Sequence, residues 1–316
     1  MESVVAVTGG TGFIGRALVK GLLNARLVVR LLTRRTDVGK MFQSDQVQVW
    51  NGDLCDPTAL SGFVDDADIV YHFGGEIRDP RRFWSVNAQG TANLLSACED
   101  AGVGRFLYLS SVGVMGAAGA VGRFDETTVA QPRNAYEASK HAGELAALQF
   151  HGRHGMQVSI VRPSIVFGEG QNPKKDRFLS WVRMVHSRHY VLLGGDYISS
   201  YTYVGDVVAA CLTVTHHSQT GGQVYIVNEP VPLTTFVNEM ATQLGVEEPL
   251  ILPGPIGALA AKLLRWSGRF GSLYNRTVFS MEKLSKLGFK LPYGYKQGLG
   301  RTITWYREER LLPGIQ

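Results

Sequence analysis

The sequence predicts an α/β protein built on a doubly wound parallel sheet, with a smaller, interleaved, mostly helical C-terminal domain for substrate. Three observations carry this expectation. Short apolar strands alternate with helical stretches through the first half, a glycine-rich run joins the first strand to the first helix, and the alternation breaks after Gly168. Strands alternating with helices read as βαβ units whose sheet is covered on both faces.

In chain order, VVAVTG (4–9) reads as the first strand and FIGRALVKGLLNA (13–25) as the helix that follows it. LVVRLLT (27–33), VQVWNGDL (47–54) and ADIVYHFGG (67–75) read as three further strands. The helical stretch 87–102 leads to the strand RFLYLSSV (105–112), and the helix 136–155 leads to the strand 157–166. After Gly168 the chain turns basic and loop-rich around one helix; YTYVGDVVAACLTV (201–214) and GQVYIVN (222–228) then read as strand-like, before a mostly helical tail from Leu233. The expected division is a dinucleotide-binding domain of residues 1–165 plus about 197–230, with 166–196 and 231–316 forming the substrate domain.

Composition bounds the function. With 45% apolar and 19% charged residues the chain has the make-up of a soluble globular protein, large enough at 316 residues for a full core. A net charge of +5 suits an anionic ligand but lacks the dense basic stripe of a nucleic-acid binder. Cys55, Cys98 and Cys211 are odd in number and far apart, which points to buried reduced thiols and to neither a disulfide framework nor a metal site. MESVVAV lacks the basic leader of a signal peptide, and no apolar run reaches the roughly 18 residues of a membrane span. The nearest run, residues 249–270, is interrupted by Pro253, Pro255, Lys262 and Arg265; it reads as an amphipathic core helix, with contact to a membrane surface as the alternative. A cytoplasmic location is the expectation.

The glycines supply the first chemistry. Gly9, Gly12 and Gly15 follow a strand and open a helix, the context in which a G-x-x-G-x-x-G run binds a dinucleotide. Gly9 permits the tight turn, Gly12 the approach of a pyrophosphate, and Gly15 close helix packing, while the first free N–H groups of the helix face the phosphates. An NAD enzyme usually carries an acid about 20 residues on, but here that place is Thr33, followed by Arg34 and Arg35. Guanidinium groups there favour the 2′-phosphate of NADP over NAD. Asp53 ends the third strand, placed to accept from an adenine amino group, and the small residues of His72–Gly75 end the fourth.

Tyr136 and Lys140 are i and i+4 on a predicted helix and share a face. A nearby ammonium favours the phenolate, so Lys140 is expected to lower the Tyr136 pKa toward neutrality and make it an acid/base. Ser111, at the end of the fifth strand, offers a hydroxyl to a substrate oxygen.

With these motifs in place the sequence resembles the extended short-chain dehydrogenase/reductases, the NAD-dependent epimerase/dehydratase family. TGGTGFIG, NGDL, YHFGG, VNAQGT, YLSSVGV, YEASK, RPSIVFGEG and YVGDV occur in the family's order from Val4 to about Val208, with a weaker echo near the C-terminus. The resemblance implies a Rossmann-type fold, a Ser111–Tyr136–Lys140 catalytic set, a small-molecule substrate, and a homodimer through the helix bearing Tyr136. It implies cofactor contacts from Gly9, Thr11, Gly12, Phe13, Ile14 and Gly15, then from Arg34, Arg35, Asp53 and Leu54. Further contacts fall to Phe73, Gly74, Gly75, Asn87 and Ser110, to Tyr136 and Lys140, and to Pro163, Ile165 and Val166. Departures from the nucleotide-sugar epimerases stand at Ile165, where that branch has Asn, and at Ser199, where it has Arg. Val112-Gly113 replaces the Asp-Glu pair of 4,6-dehydratases. RPSIVFGEG and YTYVGDV look more like the 3β-hydroxysteroid dehydrogenase branch, which implies hydride transfer between NAD(P) and a secondary alcohol or ketone. A nucleotide-sugar 4-epimerase is the alternative. Lys174, Lys175, Arg177, Arg183, Arg188 and Arg276 could hold a phosphate by another geometry or line a solvated face; RDPRRFW (78–84) reads as a solvated loop or a lid, and His216-His217 as a helix end.

Overall fold

A computed structural model of the chain describes residues 4–117, 120–188, 190–252 and 276–312. Among these residues seven strands form one sheet: β1 (Val4–Thr8), β2 (Val28–Thr33), β3 (Val47–Asn51), β4 (Ala67–His72), β5 (Arg105–Leu109), β6 (Gln157–Pro163) and β9 (Gln223–Val227). Two further strands, β7 (Ile165–Phe167) and β8 (Tyr201–Tyr203), pair with each other outside it. The order in the sheet is β9-β6-β5-β4-β1-β2-β3, and every pairing is parallel. Chain order therefore reverses between β1 and β4. A crevice opens at such a reversal, beyond the carboxyl ends of the strands, and ligands bind there.

Alternation along the strands builds two cores. Val5, Val7, Leu31, Tyr71 and Leu107 face α1 (Phe13–Asn24) and α6 (Val204–His216). Ala6, Leu32, Val70, Phe106 and Tyr108 face the opposite side, against α2 (Thr58–Val64), α3 (Gly90–Asp100) and α4 (Ala135–Phe150). Because successive strand residues point to opposite faces, a sheet buried on both sides reads as a continuous apolar run. A third apolar cluster joins α5 (Arg177–His186), α7 (Leu233–Leu244) and α8 (Gly294–Glu308) through Phe178, Trp181, Phe236 and Tyr306.

Several expectations are corrected. Residues 201–214 are strand only over Tyr201–Tyr203 and helix from Val204. The helix hides its period because Val207, Val208, Ala210, Cys211 and Val214 are all buried, so it is apolar nearly all round. The strand 157–166 breaks after Pro163; Ser164 bonds Thr202 (Oγ–Oγ1 2.7 Å), and β7 leaves the sheet to pair with β8. The helix of Thr58–Val64 was not anticipated between the third and fourth strands. Cys98 and Cys211 are buried as expected, whereas Cys55 is exposed. Of the run 249–270, residues 253–270 lie outside the described residues, and Ile251–Leu252 pairs with Leu192–Leu193. No described helix is long and apolar enough to cross a membrane.

Candidate active site

The glycine turn forms the floor of a cavity of ≈ 290 Å³ at the sheet's switch point. Gly9 has φ +70°, and a Cβ there would lie 2.4 Å from the Phe73 carbonyl carbon, so the turn and the end of β4 touch backbone to backbone. Gly15 would set a Cβ 2.2 Å from the Gly9 carbonyl oxygen; its packing is against the turn itself and not against the sheet, as the motif alone suggested. Thr11, Gly12, Leu54, Phe73, Gly74 and Gly75 line the same cavity.

Arg34, Arg35 and Asp53 line the same cavity. Asp53 Oδ2 accepts from Arg34 (3.2 Å) and from Arg82 (3.3 Å), while Oδ1 accepts from the Cys55 N–H (3.0 Å). Burial alone would raise this carboxyl, but those partners hold it below its ordinary range. Arg35 forms a two-bond pair with Asp37. An amide-lined floor and a guanidinium rim fit a dinucleotide, the first for a pyrophosphate and the second for phosphate oxygens.

Ser111, two residues past β5, caps the short helix Val112–Met115, its Oγ accepting from the Gly113 N–H at 3.1 Å. Tyr136 lies in the first turn of α4, which Asn134 caps by accepting from the Glu137 N–H. The two segments meet: a Cβ on Gly113 would sit 3.3 Å from both Ser111 Oγ and Glu137 Cγ. One turn along, Lys140 is 5% exposed and its Nζ donates to the Leu109 carbonyl at 2.7 Å. The expected lowering of the tyrosine is not seen. Burial, with the Glu137 charge adding, pushes Tyr136 up to about 12, because the ammonium is directed at the end of β5. Burial also pushes Lys140 down to about 7, against the opposing pull of Glu144.

Other expected contacts lie elsewhere. Phe13 turns toward a different groove, beside Arg16 and Trp305, and Ile14 packs on the two cores flanking α1. Asn87 is 1% exposed, and its amide is taken by the Glu76 backbone and Ser139, so it holds the Gly75–Glu76 turn from behind instead of facing the cavity. Ser110, one residue past β5, is buried, and like Ser111, Tyr136 and Lys140 it is not among the residues lining this cavity. Pro163, Ile165 and Val166 lie past the cavity at the carboxyl end of β6, where Ile165 is 42% exposed. Arg183 donates to the Leu311 carbonyl and Arg188 pairs with Glu247, so both are engaged in holding elements of the third apolar cluster together.

Some residues of the site carry no motif. Phe83 meets the Tyr136 ring edge-on with centroids 5.6 Å apart, and its neighbour Arg82 reaches Asp53. RDPRRFW thus runs from Asp53 at the cavity to the tyrosine; its arginines drew notice in the sequence, but the phenylalanine left no signal. Beneath the site Arg162 holds Glu144 by two bonds of 2.8 and 2.7 Å, both side chains nearly inaccessible.

Comparison with known proteins agrees with this architecture. Residues 5–228 match the model of the NAD dependent epimerase/dehydratase family. A 3beta-hydroxysteroid-dehydrogenase/decarboxylase of Arabidopsis thaliana is 28% identical over 349 residues, covering 96% of this chain and 79% of that protein. A dTDP-glucose 4,6-dehydratase of Streptomyces niveus is 28% identical, covering 97% and 93%. Among solved structures, MoeE5 in complex with UDP-glucose and NAD superposes with a TM-score of 0.74 at 26% identity, covering 98% of this chain and 100% of that one. The chain belongs to the NAD-dependent epimerase/dehydratase family, the extended short-chain dehydrogenase/reductases, and is an enzyme of that group.

Proposed function

We propose that the chain is an NADP-preferring dehydrogenase or reductase acting at a secondary alcohol or ketone carbon, with Ser111, Tyr136 and Lys140 as its catalytic set. The observation that carries the reading is a guanidinium-rimmed cleft at the switch point of the sheet, with the half-buried Tyr136 and the buried Lys140 on the turn of α4 that packs at the carboxyl end of β5. The Gly9–Gly15 turn would hold the pyrophosphate, and Arg34 and Arg35 the adenosine ribose with its phosphate. Three guanidinium groups (Arg34, Arg35, Arg82) gather against the carboxylates of Asp37 and Asp53. That excess of positive charge supports the preference for NADP.

When bound, the nicotinamide supplies a reversible hydride donor and acceptor. Tyr136, whose pKa of about 12 keeps it protonated at neutral pH, gives its proton to the substrate oxygen in reduction and takes it back in oxidation. The Ser111 hydroxyl orients that oxygen, and Lys140 stabilises the phenolate as it forms. Val112, where a dehydratase has a carboxylate, packs in an apolar cluster with Val114, Met115 and Ile226, which weighs against elimination of water.

The second reading, a nucleotide-sugar 4-epimerase or related sugar-modifying enzyme, is favoured by the names of several relatives. A panel of ketones, secondary alcohols and nucleotide-sugars with NADPH and NADP separates the two. Net change in nicotinamide absorbance with an alcohol or ketone supports the proposal; turnover of a UDP- or dTDP-sugar without net change overturns it. Tyr136→Phe should abolish turnover while leaving NADPH binding intact. We also infer the domain division given above, a cytoplasmic location and a homodimer through α4, whose Leu145 is 50% exposed; light scattering at the monomer mass would refute the dimer.

A further inference from the structure

Burying an ammonium is costly unless charge, hydrogen bonds or a ring face compensate it. Lys140 is 5% exposed, yet its Nζ is given one hydrogen-bond acceptor, the Leu109 carbonyl. What lies beneath it is the ring of Tyr108, with Nζ 4.0 Å from the centroid. Tyr108 opens the YLSSVGV stretch, but nothing above assigns its side chain a role.

The ring itself is fixed from behind. Its other neighbour is His72, stacked at 5.3 Å and 26°. The Gly74 N–H donates to Thr8 Oγ1, and the same oxygen lies 2.6 Å from His72 Nδ1. Thr91 donates its own hydroxyl hydrogen to the Asn87 carbonyl and so accepts from His72 Nε2 at 2.8 Å. Nε2 therefore carries the ring proton, and burial with the Lys140 charge keeps the imidazole neutral. A neutral ring behind Tyr108 adds no repulsion to the ammonium in front. Thr8 and Gly74 line the cleft, so a hydrogen-bonded chain runs from that cleft to His72, whose ring stacks on the one beneath the lysine.

We infer that Tyr108 is a positioning residue: its ring face, locked by the Thr8–His72–Thr91 chain, seats the Lys140 ammonium at the end of β5. This rests on the reading of Lys140 as part of the catalytic set. The other groups around the lysine are Tyr136, His141 and Glu144 on its own helix, His72 on β4, and Arg162 on β6, whose charge is matched by Glu144. Within this set Tyr108 is distinctive in offering a π face to the ammonium.

The test compares Tyr108→Phe, which keeps the face, with Tyr108→Leu, which removes it; Tyr108→Met, closer in length, is run alongside in case the leucine variant does not fold. Full-length protein carrying 13C-labelled lysine is titrated by NMR, the Lys140 signal being identified by its loss in Lys140→Met, and the pH profile of turnover is recorded in parallel. Loss of the face should lower the Lys140 midpoint by about half to one and a half pH units in the leucine and methionine variants. The phenylalanine variant should keep the parent midpoint. An unmoved midpoint without the ring, or an equal shift in Tyr108→Phe, overturns the proposal. Full turnover in Lys140→Met instead removes Lys140 from the catalytic set and leaves the titration result to stand by itself.

Discussion

Glu144→Gln is the sharpest structural perturbation that the site permits. The glutamate is 1% exposed and bound by two guanidinium bonds of 2.8 and 2.7 Å from Arg162, which is itself 6% exposed. Glutamine keeps the shape and removes the charge, leaving a buried guanidinium uncompensated. Arg162 Nη1 has no partner among the described residues, so the group has little to fall back on. Breaking one side of a buried ion pair costs about 3–5 kcal/mol. At roughly 2 °C per kcal/mol for a chain of this size, the melting temperature should fall by roughly 6–10 °C. Differential scanning calorimetry and urea unfolding would measure it. The pH dependence adds an independent check. Burial alone would raise the Glu144 carboxyl, but hydrogen bonds from Arg162 and His141 and the Arg162 charge hold it below its ordinary 4.5. A carboxyl depressed in the folded state stabilises above its unfolded value and loses that contribution as pH falls through the folded one. The gap between parent and Glu144→Gln should thus be complete above about pH 5 and close in stronger acid. Replacing both residues by methionine should recover most of the loss, because an apolar pair leaves no charge stranded. A Glu144→Gln protein within about 1 kcal/mol of the parent at neutral pH would refute the reasoning.

Two other expectations concern the cleft and the C-terminal helix. Arg34→Ala should raise the KM for NADPH by about tenfold and leave that for NADH nearly unchanged, since a charge-assisted bond from this solvent-facing guanidinium sits at the low end of about 1.5–3 kcal/mol; equal effects on both cofactors in steady-state kinetics would contradict NADP recognition there. Glu229 accepts from the Tyr295 N–H at 2.6 Å, near the start of α8, and burial with the Asp206 charge pushes it up to about 7. An acid raised in the folded state stabilises below its ordinary 4.5 and loses that contribution as pH rises through about 7. Thermal stability of the parent should therefore decline relative to Glu229→Gln between those limits, and parallel curves would show that the carboxyl does not titrate with folding.

How far the sequence disclosed this molecule depended on whether a feature was local. The switch-point turn was legible because Gly9, Gly12 and Gly15 are separated by fixed steps and their roles follow from backbone conformation within one turn. The i,i+4 relation of Tyr136 and Lys140 was legible for the same reason, since helix geometry alone sets it. Helix α6 was misread as strand because burial on every side erases the 3.6-residue period. The break between Pro163 and Ile165 was missed because it depends on Thr202, far along the chain.

Electrostatic roles were the least legible, and the reason is physical. The spacing of Tyr136 and Lys140 fixes a shared face but not where a flexible four-carbon chain points its ammonium. That direction is decided by a carbonyl on β5 and a ring one residue before it, both brought to the helix by tertiary packing. The same holds for Asp53, which spacing placed at the adenine and which packing ties to Arg34 and Arg82 from two other segments. Arg82 adjoins Phe83, whose ring meets Tyr136, so a single short segment brought in by packing touches both Asp53 at the rim of the cleft and the tyrosine on α4, a juxtaposition that no spacing in the sequence discloses.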